Sequence, residues 1–580
     1  MDGRRPDEAG EPPDVSDDAP ASGNAVRGGL IGALAPLAIG LVVLAVARMT
    51  LLPGLAIWDT GEFQAVGPLL GTAHPTGYPA YVVLGFLASA ILVPLGDEAF
   101  RMNLLSAALV ALAAALVVVL VRMLTGRTLL AVAAALAMAA APVAWRVSTR
   151  ADAHALHLAL LATLLVALVG WEARRRAGSR TADRWLVAAS IVYGVSLANQ
   201  GLTYLLAPGI GLFVLAVEPS ILRRPRLIVG CLVAIVATAG LLYLELPLRA
   251  GPFRAPIVYA DPSTWEGFWY VVLGLQFGGT FEPPLANPGA TLDEIGDVLA
   301  AQLGPLLLLI PLAFVVTAAK RPRYALLTAP AAVLTTVFAA SYINADIERY
   351  YLGPVLIGWT WIAVAAGAIL DALGVPRLVS RRGTAGTGLI ATRAADAGRN
   401  AGVADAGRNA EPERVSVPGD TVGFRSRRGL AALALVLAAE ATAVVLLLIP
   451  TAAALPGRWQ RIDSSDDRSA QRWVDAAWDR LERDAVVVSW WSYSTPLWYG
   501  QLIQHGRPDV WVVDDRTRLD QALGSAADVV EANLGRRPVY LVRINPGEMA
   551  DLDRRYLLEP LNLPGGPPML RVIGREGGTP

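Results

Sequence analysis

The chain has 580 residues, of which 54% are hydrophobic and 17% charged, against roughly a quarter charged in soluble domains. Its 49 basic and 49 acidic residues cancel, leaving no basic excess for nucleic acid and no acidic excess to keep a chain unfolded. Cys231 is the only cysteine, which excludes an intrachain disulfide and cysteine-based metal sites. Such a composition belongs to a polytopic membrane protein with polar parts attached.

Residues 1–28 are polar, hold no apolar run and read as a disordered cytoplasmic head. No short apolar core with a small-residue cleavage site follows, so no cleaved signal peptide is expected. Apolar runs then occur near 30–52, 78–95, 103–121, 129–144, 155–171, 185–198, 202–217, 227–247, 303–319, 324–341, 351–370 and 429–449. The short loops carry Arg122 and Arg127, then Arg174–Arg176 with Arg180 and Arg184, then Arg223, Arg224 and Arg226, then Lys320, Arg321 and Arg323. Basic loops favour the cytoplasmic side. If 78–95 crosses, the loops at 174–184 and 223–226 fall outside. If it lies flat, every basic loop falls inside. Pro75 and Pro79 open that run, and two prolines begin a deep helix poorly. The expectation is therefore about eleven transmembrane helices plus one juxtamembrane helix, with the N-terminus cytoplasmic.

In this topology the core spans 29–371, with a first outer loop at 53–102. Further outer loops lie at 145–154, 199–201, 248–302 and 342–350. Most of the chain's histidines and several ionisable residues fall in or beside these loops, which suggests a site facing one side only. Residues 372–428 repeat Ala395-Asp-Ala-Gly-Arg-Asn-Ala401 as Ala404-Asp-Ala-Gly-Arg-Asn-Ala410 and read as a low-complexity cytoplasmic linker. A last transmembrane helix is placed at 429–453. In 454–580 a helix is expected over Arg472–Arg483, and strands over Ala485–Trp490, Asp509–Val513 and Pro538–Val542. Helical stretches near 495–505 and 517–533 separate the strands. The alternation predicts a small extracytoplasmic α/β domain with a parallel sheet.

The densest polar signal is Trp58-Asp-Thr-Gly-Glu-Phe63, followed by His74-Pro-Thr-Gly-Tyr-Pro79. Asp59 and Glu62 are three residues apart and can share one helix face. A carboxylate at the bilayer edge is costly without a partner or a task. A helix cap with Glu62 completing a capping box is the competing explanation. The company of His74, Tyr78 and Arg101 in the same loop favours chemistry. Each further candidate has a structural competitor. Arg101 could anchor a span by snorkelling. Arg249 could pair with Glu245 at i,i+4. Asp152 and His154 could cap a helix, and His157 packs deeper in the span. Asp346 and Glu348 read as solvated loop residues, Asp514–Asp515 as a helix cap, and Glu440 as a buried acid that is neutral or paired to another helix. No metal site is expected from the spacing of His and acidic residues, and no cofactor is implied.

These motifs resemble the bacterial and animal membrane proteins related to protein O-mannosyltransferases, in the integral-membrane C-type glycosyltransferase superfamily. The resemblance rests on both first-loop motifs and on Arg101-Met-Asn-Leu-Leu-Ser106, Asp152-Ala-His154, Asn199-Gln200, Leu246-Pro-Leu-Arg249, Asp261-Pro-Ser-Thr-Trp-Glu-Gly267 and Asp346-Ile-Glu-Arg-Tyr-Tyr351. Ser494-Thr-Pro-Leu-Trp-Tyr499 and Gly506-Arg-Pro-Asp-Val510 extend it into the outer domain. Thr76 stands where the family has a second proline, and Gln200 where a histidine is expected. The resemblance implies a multi-pass plasma-membrane glycosyltransferase. It would move a mannose-like hexose from a polyprenyl-phosphate donor to a protein or glycan acceptor at the outer face. Asp59 would then be the general base with Glu62 in support, Arg101 and Arg249 the donor-phosphate contacts, and His74, Tyr78, Asp152 and His154 supporting residues. The alternatives are a transporter or lipid flippase, and a non-catalytic membrane scaffold. A transporter predicts polar or broken helices at mid-membrane, often in repeats. The scaffold predicts that Asp59 can be changed freely.

Overall fold

In a computed structural model the protein is described at residues 23–284, 286–344, 346–375, 377 and 427–577. Most of the segment read as the disordered head and nearly all of the linker lie outside these residues. The first helix, α1 (Gly23–Met49), starts inside the segment read as head. Two helices of the first outer loop follow, α2 (Trp58–Leu69) and α3 (Pro79–Ile91). The core continues with α4 (Glu98–Thr125), α5 (Thr128–Ala139), α6 (Pro142–Ser148), α7 (Ala153–Arg176), α8 (Ala182–Leu197), α9 (Ala207–Val217) and α10 (Pro225–Tyr243). Short helices α11 (Glu245–Ala250) and α12 (Trp265–Val272) precede α13 (Pro288–Leu303), α14 (Ile310–Lys320), α15 (Pro322–Ala340) and α16 (Leu352–Ala372).

Among the described residues, eight helices are long and apolar enough to cross a bilayer, and nine if the bent pair α5–α6 counts as one span. Eleven crossings were expected. The difference falls on 185–198 and 202–217, where α8 has 16 residues and Gly201–Val217 is also short. At about 1.5 Å rise per residue such helices fall short of a bilayer core of about 30 Å unless neighbours cover their ends. The run 78–95 forms a helix of 13 residues, too short to cross alone.

Local chemistry explains where the helices start and stop. The Asp97 side chain accepts from the Phe100 N–H at 2.8 Å and caps α4. Gly126, at φ +74°, ends it in the left-handed conformation. Asp152 caps α7 by accepting from the His154 N–H at 2.8 Å. The central helices α4, α5 and α7 are rich in buried alanine: Ala113, Ala114, Ala131, Ala133, Ala134, Ala155 and Ala162 are wholly inside. Small side chains let helix backbones approach closely where lipid gives no hydrophobic drive to association.

A 36-residue helix, Arg427–Ile462, leads into the C-terminal domain, here called the outer domain after its expected position, and runs past the expected end at 453. Glu440 on this helix is paired, to Arg127 at the start of α5. Arg127 also reaches Asp371 of α16 at 2.8 Å. The domain holds a five-stranded sheet in the order β2-β1-β3-β5-β4. Strands β1 (Val486–Ser489), β2 (Trp511–Val513) and β3 (Val539–Val542) are parallel. Strands β4 (Tyr556–Leu561) and β5 (Met569–Arg575) run antiparallel, so the sheet is mixed rather than parallel. Both faces of β1 and β3 are buried, which gives the continuous apolar runs legible in the sequence. The last two strands are largely exposed or half-buried and escaped notice. The domain sits on the first outer loop. Thr495 Oγ1 donates to the Trp58 carbonyl at 2.9 Å, and the Ala99 N–H donates to the Tyr499 hydroxyl at 3.1 Å.

Candidate active site

Between the helical core and the outer domain lies a cavity of about 1220 Å³. Its wall includes Trp58, Asp59, His74, Tyr78, Arg146, Arg150, Asp152, Gln200, Tyr259, Arg349, Trp490 and Trp491. Residues distant in the chain thus converge from α2, the 72–78 turn, α6, the head of α7, the 342–350 loop and the outer domain. Each of the five outer loops read from the charge pattern contributes to this one cavity.

Asp59 occupies the first turn of α2, where the helix dipole favours a negative charge. It does not cap the helix; no side chain caps α2 at Ile57. One carboxylate oxygen accepts from Arg349 at 2.7 Å and the other from the Trp491 indole N–H at 3.2 Å. Burial would push this carboxyl up. The charges of His74 and Arg349, with the two hydrogen bonds, outweigh burial and hold it well below the usual carboxylate range. Arg349 also lies 3.7 Å from Asp152, so one guanidinium bridges two carboxylates. Asp152 is likewise lowered: burial opposes ionisation, but His154 and Arg349 win.

Glu62 points away from the cavity and is 1% exposed. It accepts from the His74 backbone N–H at 2.7 Å and pairs with the imidazole. The support expected of Glu62 is thus given to His74. Burial raises the Glu62 carboxyl, while burial of His74 is overcome by the two nearby carboxylates, which raise the imidazole. Both shifts mean that the folded pair keeps its proton. His74 meets Tyr78 and Trp491 at ring centroid separations of 5.1 and 5.8 Å. The close packing of α2 depends on Gly61, where a Cβ would meet the Ala56 carbonyl at 2.4 Å and Thr495 Oγ1 at 2.8 Å.

Two expected phosphate contacts are not at the cavity. Arg101 is buried beside α3, donating to the Ser89 carbonyl at 2.6 Å and the Asp97 carbonyl at 3.1 Å, and pairing with Glu98. Arg249 donates to the carbonyls of Leu70 and Leu69 at 2.7 and 3.1 Å, closing the C-terminus of α2 instead of pairing with Glu245. The bare carbonyls of a helix end attract a guanidinium more strongly than an open surface does. His154 sits behind Asp152 at 2.9 Å and contacts Gln200, which itself lines the cavity. Asp514 caps a short helix of the outer domain, and burial raises it to about 6.

Sequence reasoning missed Arg349, Arg150 and Trp491. Arg349 lies inside the quoted Asp346–Tyr351 motif, and two outer-face carboxylates without a cation were a signal for it. Arg150 lines the cavity, and burial, with the like charge of Arg146, lowers its guanidinium. Trp491 lies in an aromatic cluster with no polar partner nearby in sequence; its partner in the structure is Asp59.

Residues 59–221 match the family model of the Protein O-mannosyl-transferase TMEM260 N-terminal domain. The resemblance read from the motifs is borne out. Protein O-mannosyl-transferase TMEM260 of Mus musculus is 29% identical over 266 residues, 45% of this chain and 36% of the mouse protein. The chain thus aligns with about a third of that relative's length. Among solved structures, ArnT from Cupriavidus metallidurans bound to undecaprenyl phosphate matches 93% of this chain and 97% of its own, with a TM-score of 0.53 and 13% identity. ArnT in the apo state matches 94% and 98%, with a TM-score of 0.53 and 14% identity. At these identities the likeness concerns the fold: a polytopic helical membrane protein.

Proposed function

We propose that the chain is a membrane glycosyltransferase that moves a hexose, mannose first among them, from a polyprenyl-phosphate donor to a hydroxyl acceptor at the extracytoplasmic face. The observation that carries this reading is the convergence of Asp59, Asp152, His74 and four arginines, Arg146, Arg150, Arg349 and Arg516, on one cavity beneath the outer domain. A fold shared with ArnT, which was solved with undecaprenyl phosphate, supports a lipid-phosphate donor. The name of the mouse relative makes protein serine or threonine the first acceptor class to test. In the accompanying topology the N-terminus is cytoplasmic, the outer domain lies across the plasma membrane, and α8 and the 201–217 segment complete the eleven crossings.

In the reaction the acceptor oxygen attacks the anomeric carbon, its proton passes to Asp59, and the bond from that carbon to the phosphate oxygen breaks. The lipid phosphate leaves and the anomeric configuration inverts. Asp59 is ionised at any physiological pH and so is ready to accept the proton. Its low basicity suits a displacement in which the sugar–phosphate bond opens first, because the acceptor hydroxyl turns acidic only as its new bond forms. Arg146 and Arg150, not Arg101 and Arg249, take the role of stabilising the departing phosphate, since both line the cavity. Tyr78, whose hydroxyl burial keeps protonated, adds a neutral donor at the same wall.

Purified protein in nanodiscs, given undecaprenyl-phosphate mannose or undecaprenyl-phosphate glucose with a Ser/Thr peptide, tests the reading. Glycopeptide of inverted configuration and free undecaprenyl phosphate are expected, mannose being preferred. Folded protein that transfers neither hexose to peptide, glycan or water overturns it.

A further inference from the structure

Of the outer-domain side chains at the cavity, one hydrogen-bonds to Asp59. Trp491 opens the helix Trp491–Tyr499, directly after β1 and Trp490. Its indole N–H donates to Asp59 Oδ1 at 3.2 Å, while Arg349 holds the other oxygen at 2.7 Å. The carboxylate is therefore gripped from two sides, by the helical core and by the outer domain. The indole is itself fixed. Its backbone N–H donates to Asp515 at 3.1 Å, and its ring stands edge-on to Tyr259, His74 and Trp498 at centroid separations of 5.9, 5.8 and 5.7 Å. The helix that carries it is seated on α2 by the Thr495–Trp58 hydrogen bond and by an edge contact between Trp490 and Trp58.

We propose that Trp491 is a positioning residue for the transfer reaction. Through its indole N–H the outer domain sets the orientation of the Asp59 carboxylate, so turnover requires that domain to be seated on the first outer loop. A ring of this size in this place would pack equally well without its N–H; the hydrogen bond is what ties the domain to the chemistry. A carboxylate held by one donor alone can rotate about its last bond, and a base out of line with the acceptor proton loses rate without losing substrate. The inference rests on the assignment of Asp59 as the base.

The test compares Trp491→Phe, which keeps the aromatic edge and removes the donor, with Trp491→His, which restores a ring N–H. Both are assayed with undecaprenyl-phosphate mannose and a Ser/Thr peptide, alongside thermal unfolding in detergent. Trp491→Phe is expected to lose no more than a few degrees of Tm and to keep its KM for the lipid donor while kcat falls about ten- to a hundredfold, the usual effect of removing a hydrogen bond to a charged group. Trp491→His should recover part of kcat. A Trp491→Phe enzyme with wild-type kcat overturns the inference. So does a kcat loss that tracks a fall in Tm and is not relieved by histidine. An inactive Asp59→Asn beside a fully active Trp491→Phe sinks this inference alone, whereas an active Asp59→Asn sinks the base assignment beneath it.

Discussion

Replacing Asp59 by asparagine separates chemistry from architecture at the centre of the site. The amide keeps the size of the carboxyl and one oxygen for Arg349, but it cannot take a proton. Two charge-assisted hydrogen bonds are weakened, at 2.7 Å to Arg349 and 3.2 Å to Trp491. Each such bond contributes about 1.5–3 kcal/mol when buried. The Asp59 and Arg349 side chains are 22% and 13% exposed, so solvent screens part of this. Arg349 also keeps Asp152 at 3.7 Å as a second counter-charge. A net cost of about 2 kcal/mol follows, enough to lower Tm by a few degrees and too little to unfold a large membrane protein. Loss of a general base costs about 10²–10⁴-fold in rate, which corresponds to about 3–5 kcal/mol in the barrier. The assay is single-turnover transfer per folded molecule with radiolabelled undecaprenyl-phosphate mannose, paired with a donor-binding measurement. Binding should persist while transfer nearly vanishes. Retention of more than about a tenth of the wild-type rate would refute general-base catalysis at Asp59.

Four further outcomes are expected. Arg349→Lys replaces a planar fork by a point charge that cannot bridge Asp59 and Asp152 together; kcat should fall at least about tenfold with donor affinity less affected, read by steady-state kinetics. Arg249→Ala uncaps the C-terminus of α2 away from the cavity, so detergent unfolding should show a loss of about 1–2 kcal/mol while the donor KM stays unchanged. Because the buried His74–Glu62 pair binds protons more tightly folded than unfolded, its stabilisation is present below the ordinary imidazole value of about 6.5 and is lost as pH rises through the raised folded value. Tm should therefore decline above that pH in the wild type and decline less in His74→Gln. Cysteine introduced at position 98 or in the outer domain should react with an impermeant thiol reagent from outside, and cysteine at position 178 should not; labelling at 178 overturns the proposed topology.

Much of the architecture was legible because membrane folding is governed by a few coarse rules. Long apolar runs predicted α4, α7, α15 and α16 with small boundary errors, since helices in lipid must satisfy their backbones internally. The strands β1 and β3 were legible because both their faces are buried; β4 and β5, which are more exposed and carry no continuous apolar run, were not. The site was legible in part. Asp59, His74 and Tyr78 lie close in sequence and stand together at the cavity. The cations were harder to place. An arginine in an outer loop carries the same sequence signal whether it meets a ligand, caps a helix as Arg249 does, or clamps a loop as Arg101 does. Arg349 is 290 residues from Asp59, and nothing local to either motif encodes that pairing. Trp491 was ambiguous for a related reason: the polar partner that gives its N–H a task belongs to another domain.

The two ends of the helical core differ in a way that supports the proposal of chemistry at the Asp59 cluster, on the end read as outer, and not at the Arg127 cluster, on the end read as inner. At each end one arginine bridges two carboxylates. At the inner end Arg127 joins Asp371 and Glu440, and Arg377 meets Asp371 at 2.6 Å, so two cations balance two acids. Arg127 and Glu440 are 0% and 1% exposed in their side chains, and the cluster pins α5, α16 and the last transmembrane helix together. Asp371 and Arg377 lie at the surface, 41% and 47% exposed in their side chains, so this charge-balanced network ties helix ends together without lining a cavity. At the outer end Arg349 joins Asp59 and Asp152, and the further contacts come from the neutral indole of Trp491 and from His154. His74 is already matched by Glu62. With His154 neutral, the bridged cluster keeps one negative charge in excess, and it opens on a cavity of about 1220 Å³ rather than being packed shut. The charge on Asp59 is nonetheless stabilised: against burial, His74 and Arg349 hold its carboxyl well below the usual range, so it stands ionised at the cavity wall. In the proposed reaction an ionised carboxylate facing an open cavity is the group that takes the acceptor's proton, with Arg146 and Arg150 on the same wall to meet the charge of a departing phosphate.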